Sequence, residues 1–251
     1  MKLLYPASVP ISAKKPPLTG TNGSGTIFFT NCNLSCEFCQ NYEISHEGIG
    51  DKISTEELAE CMLSLQQRGC HNINLVTPTH FTPQIVESLS IAVEKGLELP
   101  LVYNCGGYES LETLRLLEDI IDIYMPDIKY SSNENAFKYS GVQGYWETVK
   151  EAVKEMYRQT GDLKISRKGI AQRGMLIRHL ILPNNIAGSE AVIDFIADEI
   201  SADTYINILD QYHPAYKAFY YKEINRRIML SEYNEVVDYA ISKRIKEVWM
   251  K

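Results

Sequence analysis

From Thr26 onward the chain alternates short apolar or β-branched runs with longer amphipathic runs, six times over. That alternation demands a parallel sheet, because strands that all run one way need a crossover, usually a helix, to bring the chain back to the starting edge. The strand-like runs are 26–30, 72–76, 100–103, 120–125, 175–181 and 204–209. Run 120–125 is apolar almost throughout, as a strand covered on both faces should be. Six strand-helix units are too few for a closed eight-stranded barrel. They leave an open α/β arrangement, either a partial barrel or a flavodoxin-like doubly wound sheet whose strand order reverses.

The intervening helices carry their own boundaries. Ser54 with Glu57 three residues on forms a capping box, Ile53 staples against Leu58, and Gly69 supplies a left-handed stop. Leu58, Cys61, Met62 and Leu65 mark its inner face. Thr82-Pro83 reads as a cap and first-turn proline for a helix that buries Ile85, Val86, Leu89, Ala92 and Val93 and ends at Gly96. Leu111, Leu114 and Leu117 line the next, and further helices are expected over 145–158 and 190–199. A last helix from Ser231 is expected to bury Tyr233, Val236, Val237, Ala240, Ile241, Ile245 and Val248. Ahead of the first strand, Pro6, Pro10, Pro16, Pro17, Gly20, Gly23 and Gly25 forbid a long helix. The expected division is therefore an arm over 1–25, a partial barrel over 26–217 and a helical extension over 218–251.

A net charge of −7 argues against general nucleic-acid binding, which depends on clustered Lys and Arg. Arg226-Arg227 and Lys243-Arg244 read as solvated faces. No window approaches the roughly 18 to 20 apolar residues that cross a bilayer, so no membrane association and a cytoplasmic location are expected.

The run Thr30-Asn31-Cys32-Asn33-Leu34-Ser35-Cys36-Glu37-Phe38-Cys39-Gln40 follows the first strand directly. Its C-x3-C-x2-C spacing, with no fourth cysteine to match, suits three irons of a cubane [4Fe-4S] cluster and leaves one iron open to a ligand. Zinc is the rival, with His46 as a fourth ligand closing the site, although paired C-x2-4-C spacing is the usual zinc pattern. Cys61 and Cys70 read as core residues; Cys105 stands at a strand end beside Gly106 and Gly107. In either sheet architecture ligands sit at the carboxyl ends of the strands. There too lies Arg178, a lone charge in an apolar strand that needs a partner.

The cysteine loop, with Phe38 before Cys39, resembles that of the radical SAM superfamily. The resemblance implies a partial (β/α)6 TIM-type barrel whose open iron chelates the amino and carboxylate groups of S-adenosylmethionine. One electron then breaks a carbon–sulfur bond and yields a 5′-deoxyadenosyl radical that abstracts hydrogen, with no general base required. A low-potential donor, flavodoxin or ferredoxin, and an oxygen-free setting are implied. Thr77 and Thr79 stand where many members carry Gly-Gly-Glu toward the cosubstrate amino group, and Asn104 follows the third strand. Met125-Pro126-Asp127-Ile128-Lys129 resembles a strand end of the glycyl-radical-enzyme activases, of which the pyruvate formate-lyase activase is the familiar member. That likeness implies Lys129 on the cosubstrate carboxylate and Asp127 with a monovalent cation or the sulfonium. By the same likeness Arg178 reaches the cosubstrate and His213 lies near the adenosine. Gly23-Ser24-Gly25-Thr26-Ile27-Phe28-Phe29 and Gln211-Tyr212-His213-Pro214-Ala215-Tyr216-Lys217-Ala218 place the chain nearest proteins related to those activases. The expected partner is a glycyl radical enzyme, with a peptide or small metabolite as the alternative if Tyr212, Tyr216, Phe219, Tyr220 and Tyr221 line a substrate cavity. A non-enzymatic metal-binding module is the third class.

Overall fold

The computed structural model describes residues 2–4, 17–245 and 247–249; Pro6, Pro10 and Pro16 of the expected arm lie outside them. The strands are β1 (Lys2–Leu4), β2 (Gly25–Phe29), β3 (Asp51–Lys52), β4 (Ile73–Val76), β5 (Leu101–Cys105), β6 (Ile123–Ile128), β7 (Lys164–Ile165), β8 (Ala171–Leu180), β9 (Tyr205–Leu209) and β10 (Glu247–Trp249). The helices are α1 (Tyr42–Ser45), α2 (Thr55–Gln67), α3 (Thr82–Glu94), α4 (Leu111–Leu116), α5 (Asn133–Ser140), α6 (Tyr145–Thr160), α7 (Ser189–Phe195) and α8 (Leu230–Ser242).

All but β7, which pairs with β8, lie along one sheet in the order β10-β9-β8-β6-β5-β4-β2-β1-β3. Every neighbouring pair from β2 to β10 is parallel. The order follows the chain without reversal, so the doubly wound alternative falls and the open partial barrel stands. β1 and β3 extend the β2 edge in antiparallel fashion.

Ser54 and Glu57 form the expected capping box, and Leu58, Met62 and Leu65 are buried beneath α2. α3 differs in detail. Phe81 is its N-cap residue without a side-chain bond, while the Thr82 hydroxyl donates to the Thr79 carbonyl at 3.0 Å. Val93 is exposed, because the buried stripe runs through Ile85, Leu89 and Ala92.

β6 starts three residues later than the apolar run suggests. The amides of Ile120 and Ile121 bond back to Leu117 O at 3.1 and 3.2 Å, closing the turn after α4, and pairing begins only at Val102↔Ile123. Pro126 and Asp127 are thereby drawn into the strand. The ladder to β8 passes from Tyr124↔Met175 to Asp127↔Arg178, with Pro126, which has no N–H to give, between them.

α5 has no counterpart in the sequence reading. Its buried residues are few, but Ser132 caps it and Gly141 ends it in the left-handed region. α8 stops at Ser242; Ile241 lies on its exposed side, away from the stripe of Val236, Val237 and Ala240, and Val248 lies in β10 rather than on a helix. Ile245 and Val248 imitate a helical repeat, yet a third strand position beside β9 offers that edge's backbone groups partners that a helix cannot.

Gly174 sits inside β8 with φ +123, and a Cβ there would come 2.4 Å from Asp162 O. Neither the backbone nor the space admits a side chain. Gly174→Ala is expected to lower unfolding free energy by about 2–4 kcal/mol in urea denaturation.

Candidate functional site

The cysteine loop leaves β2 at a left-handed residue, Asn31 (φ 64), one of the few types that adopt this conformation readily. From there protein contacts hold it on several sides. Ser35 N and Glu37 N donate to the carbonyls of Ser140 and Tyr139 at 2.9 and 2.8 Å, the last residues of α5. Lys217 N donates to Glu37 O at 2.9 Å, and Asn33 Nδ2 to Tyr108 O at 2.6 Å. Leu34 is buried over Gly106, where a Cβ would lie 2.7 Å from Leu34 Cδ1. The Phe38 ring is buried edge-on against Tyr130 and Tyr212, with centroids 6.4 and 5.7 Å away.

Burial pushes the Cys36 thiol up to about 12; nearby Lys129 opposes the shift, and Cys32 and Cys39 add to it. Burial likewise raises Cys32. Ser140 Oγ donates to Cys36 Sγ at 3.0 Å and Leu34 N to Cys32 Sγ at 3.4 Å, so donors already face both sulfurs. A buried thiol of this kind becomes a thiolate when a metal supplies the missing positive charge. Cys36 and Cys39 line a cavity of about 140 Å³ together with Phe38, Gln40, Lys129 and Gln211. His46, the alternative fourth ligand, stacks on Tyr216 with centroids 4.8 Å apart. Among the described residues no three Cys, His, Asp or Glu side chains gather around a single point as ligands of one ion would.

Beside the loop, three strand ends share one polar network. Asp127 accepts from Lys129 Nζ at 2.7 Å and from Arg178 Nε at 2.6 Å, and Arg178 Nη2 donates to Asn104 Oδ1 at 2.9 Å. Arg178 thus has its partner, the residue paired with it across β6 and β8. Burial alone would raise the Asp127 pKa, but Arg178 and Lys129 outweigh it and hold the carboxyl below its usual range. Burial would lower the Lys129 pKa, but Asp127 outweighs it and keeps the ammonium charged. Gly107 (φ +76) crosses this edge so closely that a Cβ would meet Asp127 O at 2.7 Å.

The other expected residues lie on the same edge. His213 Nδ1 stands 3.2 Å from Gln40 Nε2, tying the end of β9 to the residue after Cys39. Thr77 N donates to Asn104 O at 2.9 Å. Thr79 Oγ1 donates at 2.8 Å to Glu109, a residue the sequence reading missed. Glu109 is 2% exposed, and burial pushes its carboxyl up to about 7. Its only signal in the sequence is an acid after Gly106-Gly107-Tyr108 at a strand end, where it passes for a solvent-facing residue preceding a helix cap.

Residues 26–166 match the Radical SAM superfamily. The chain belongs to the radical SAM superfamily. It is 30% identical over 227 residues to an uncharacterized protein of Methanocaldococcus jannaschii, covering 86% of this chain and 62% of that one. The chain therefore spans about three-fifths of that curated relative. Among solved structures the FeFe-hydrogenase maturase HydG of Carboxydothermus hydrogenoformans superposes with TM-score 0.61 at 12% identity, over 90% of this chain and 52% of HydG. SuiB of Streptococcus suis bound to its precursor peptide SuiA gives 0.59 at 14%, over 94% and 49%; SuiB is also known bound to S-adenosylmethionine. Membership implies a [4Fe-4S] cluster and S-adenosylmethionine, and the loop suits the cluster in its three neighbouring thiols and in the cavity that Cys36, Cys39 and Lys129 share. The described residues contain no helix long and apolar enough to cross a membrane.

The two acids of this edge should respond oppositely to removal of charge. Asp127→Asn strands Lys129 and Arg178 and is expected to cost about 3 kcal/mol. Because its folded pKa is depressed, that difference should persist down to about pH 5 and close as pH falls below about 4 in urea melts. Glu109 has a raised folded pKa, so its charge weighs against folding as pH rises from about 4.5 through about 7. Glu109→Gln should therefore raise the melting temperature at about pH 8 and leave it unchanged at about pH 4.

Proposed function

We propose that this chain is a radical SAM enzyme that cleaves S-adenosylmethionine reductively and acts on a polypeptide, in the manner of the glycyl-radical-enzyme activases. The observation that carries this reading is the single cavity lined by Cys36, Cys39 and Lys129, with Lys129 joined through Asp127 to Arg178 and Asn104. The chemistry supplied when a [4Fe-4S] cluster and S-adenosylmethionine are bound is one-electron scission of a carbon–sulfur bond, with a 5′-deoxyadenosyl radical as the hydrogen-abstracting product.

The chain's own residues bind and orient. Cys32, Cys36 and Cys39 would hold the cluster. Lys129 and Arg178, charged and positioned by Asp127, receive the cosubstrate carboxylate; Thr79 accepts from its ammonium group, with Thr77 and Asn104 shaping that corner. Gln40 and His213 face the adenosine, and Phe38 with Tyr130 and Tyr212 keeps water from the inner side of the loop. A monovalent cation at Asp127 is not part of the proposed chemistry, since Lys129 and Arg178 already neutralise that carboxylate.

A polypeptide substrate is favoured over a small metabolite by the exposed rings of Phe219 and Tyr220. They follow Lys217, whose amide is bonded to the cysteine loop at Glu37. The Met125-Pro126-Asp127-Ile128-Lys129 strand end supports the activase subtype. A low-potential flavodoxin or ferredoxin is the proposed electron source.

Anaerobic reconstitution, reduction and addition of S-adenosylmethionine should give iron-sulfur absorbance and 5′-deoxyadenosine. Cys36→Ala should abolish both, and Lys129→Met should keep the absorbance while weakening S-adenosylmethionine binding roughly tenfold. Loaded, reduced protein that forms no 5′-deoxyadenosine, or tightly bound zinc in place of iron, would overturn the reading.

A further inference from the structure

Thr79 spends its one hydroxyl proton on Glu109 Oε1, at 2.8 Å. A hydroxyl has a single donor and two lone pairs, so a fixed donor direction leaves Thr79 an acceptor toward anything else that approaches it. The second oxygen of Glu109 accepts from Tyr103 OH at 3.2 Å, and the Cys105 thiol also bonds to the carboxyl. Every one of these partners is neutral, and no cation figures among the groups that act on the Glu109 charge. A carboxylate held deep in protein by neutral donors alone is costly, and a Gln of the same shape would keep an acceptor for Thr79 without the charge.

The turn that presents Thr79 is itself strained. Thr77 is β-branched yet adopts φ 60, a region such residues rarely enter. Its amide is tied to Asn104 O, on the residue whose side chain accepts from Arg178. His80, next to Thr79, bonds to Thr30 O at 2.7 Å, and Asn33 Nδ2 donates to the carbonyl of Tyr108, next to Glu109, at 2.6 Å, so the Thr79–Glu109 pair lies beside the cysteine loop. A buried carboxylate bonded by neutral donors, a half-buried threonine whose hydroxyl is committed as an acceptor and a strained turn therefore meet at one strand-end surface.

We propose that Glu109 is a positioning residue for the ammonium group of S-adenosylmethionine: it locks Thr79 as the acceptor and supplies, through that hydroxyl, the negative charge the ammonium requires. The proposal rests on the radical SAM reading above and deepens it. The acid absent from the turn after β4 enters from the loop after β5, one hydrogen bond further back. A cation arriving at Thr79 completes a chain of ammonium, hydroxyl and carboxylate, in which each bond polarises the next.

The test is equilibrium dialysis of the anaerobically reconstituted full chain, near neutral pH, against S-adenosylmethionine and against its desamino analogue. The parent should prefer S-adenosylmethionine. Glu109→Gln and Thr79→Val should each weaken S-adenosylmethionine binding roughly tenfold while changing the analogue by less than about twofold, with iron content unaltered. A purely structural role for Glu109 would weaken both compounds together, and that result overturns the proposal, as does unchanged S-adenosylmethionine binding in Glu109→Gln. A parent that binds both compounds equally overturns the proposal alone; a parent that binds neither overturns the underlying radical SAM reading as well.

Discussion

The carboxylate of Asp127 joins three parallel strands at the sheet edge that borders the cysteine loop. It bonds Lys129 just past the end of its own strand and Arg178 on the strand to one side, and Arg178 reaches back to Asn104 on the strand to the other side. Two cations and one anion, each half-buried, stabilise one another here, because each group alone would bear a desolvation cost that its partners offset. The triad leaves net positive charge beside Cys36, whose thiol is displaced upward by burial and pulled back by Lys129. That polarity, built into the sheet, suits thiolate sulfurs and an anionic ligand.

Around this edge the cysteine loop is shaped by protein contacts. α5 offers two carbonyls to its amides, Phe38 enters an aromatic cluster, and Leu34 covers Gly106. Such contacts fix the backbone of the loop that carries the sulfurs. The same edge stores unfavourable features, namely left-handed Thr77 and buried Glu109. Features that oppose folding and collect at one strand-end surface are what a site selected for binding would show.

Much of this was legible in the residues. The three cysteines, the Asp127-Ile128-Lys129 run and the isolated Arg178 stand out because each departs from its apolar surroundings. The capping box at Ser54 and the stop at Gly69 were legible because helix ends are settled by local hydrogen bonding. Glu109 was not, since nothing local distinguishes a buried acid from a solvated one; its burial comes from Thr79 and Tyr103 on neighbouring segments. The late start of β6 escaped notice because Ile120 and Ile121 look like strand residues and are held in a turn by Leu117. α5 escaped because it buries too few apolar side chains to show a period.

Sequence by itself determined the alternation of strands and helices, and with it a parallel sheet, together with the sulfur donor set and the family it resembles. Those are properties of periodicity and spacing, which are short-range. Tertiary structure alone decided that the strands follow chain order without reversal, that Glu247–Trp249 joins the sheet as a strand, and that Asp127 serves Lys129 and Arg178 at once. Strand neighbours, burial and charge pairing are set by segments far apart in the chain, and their energies exist only once those segments have met.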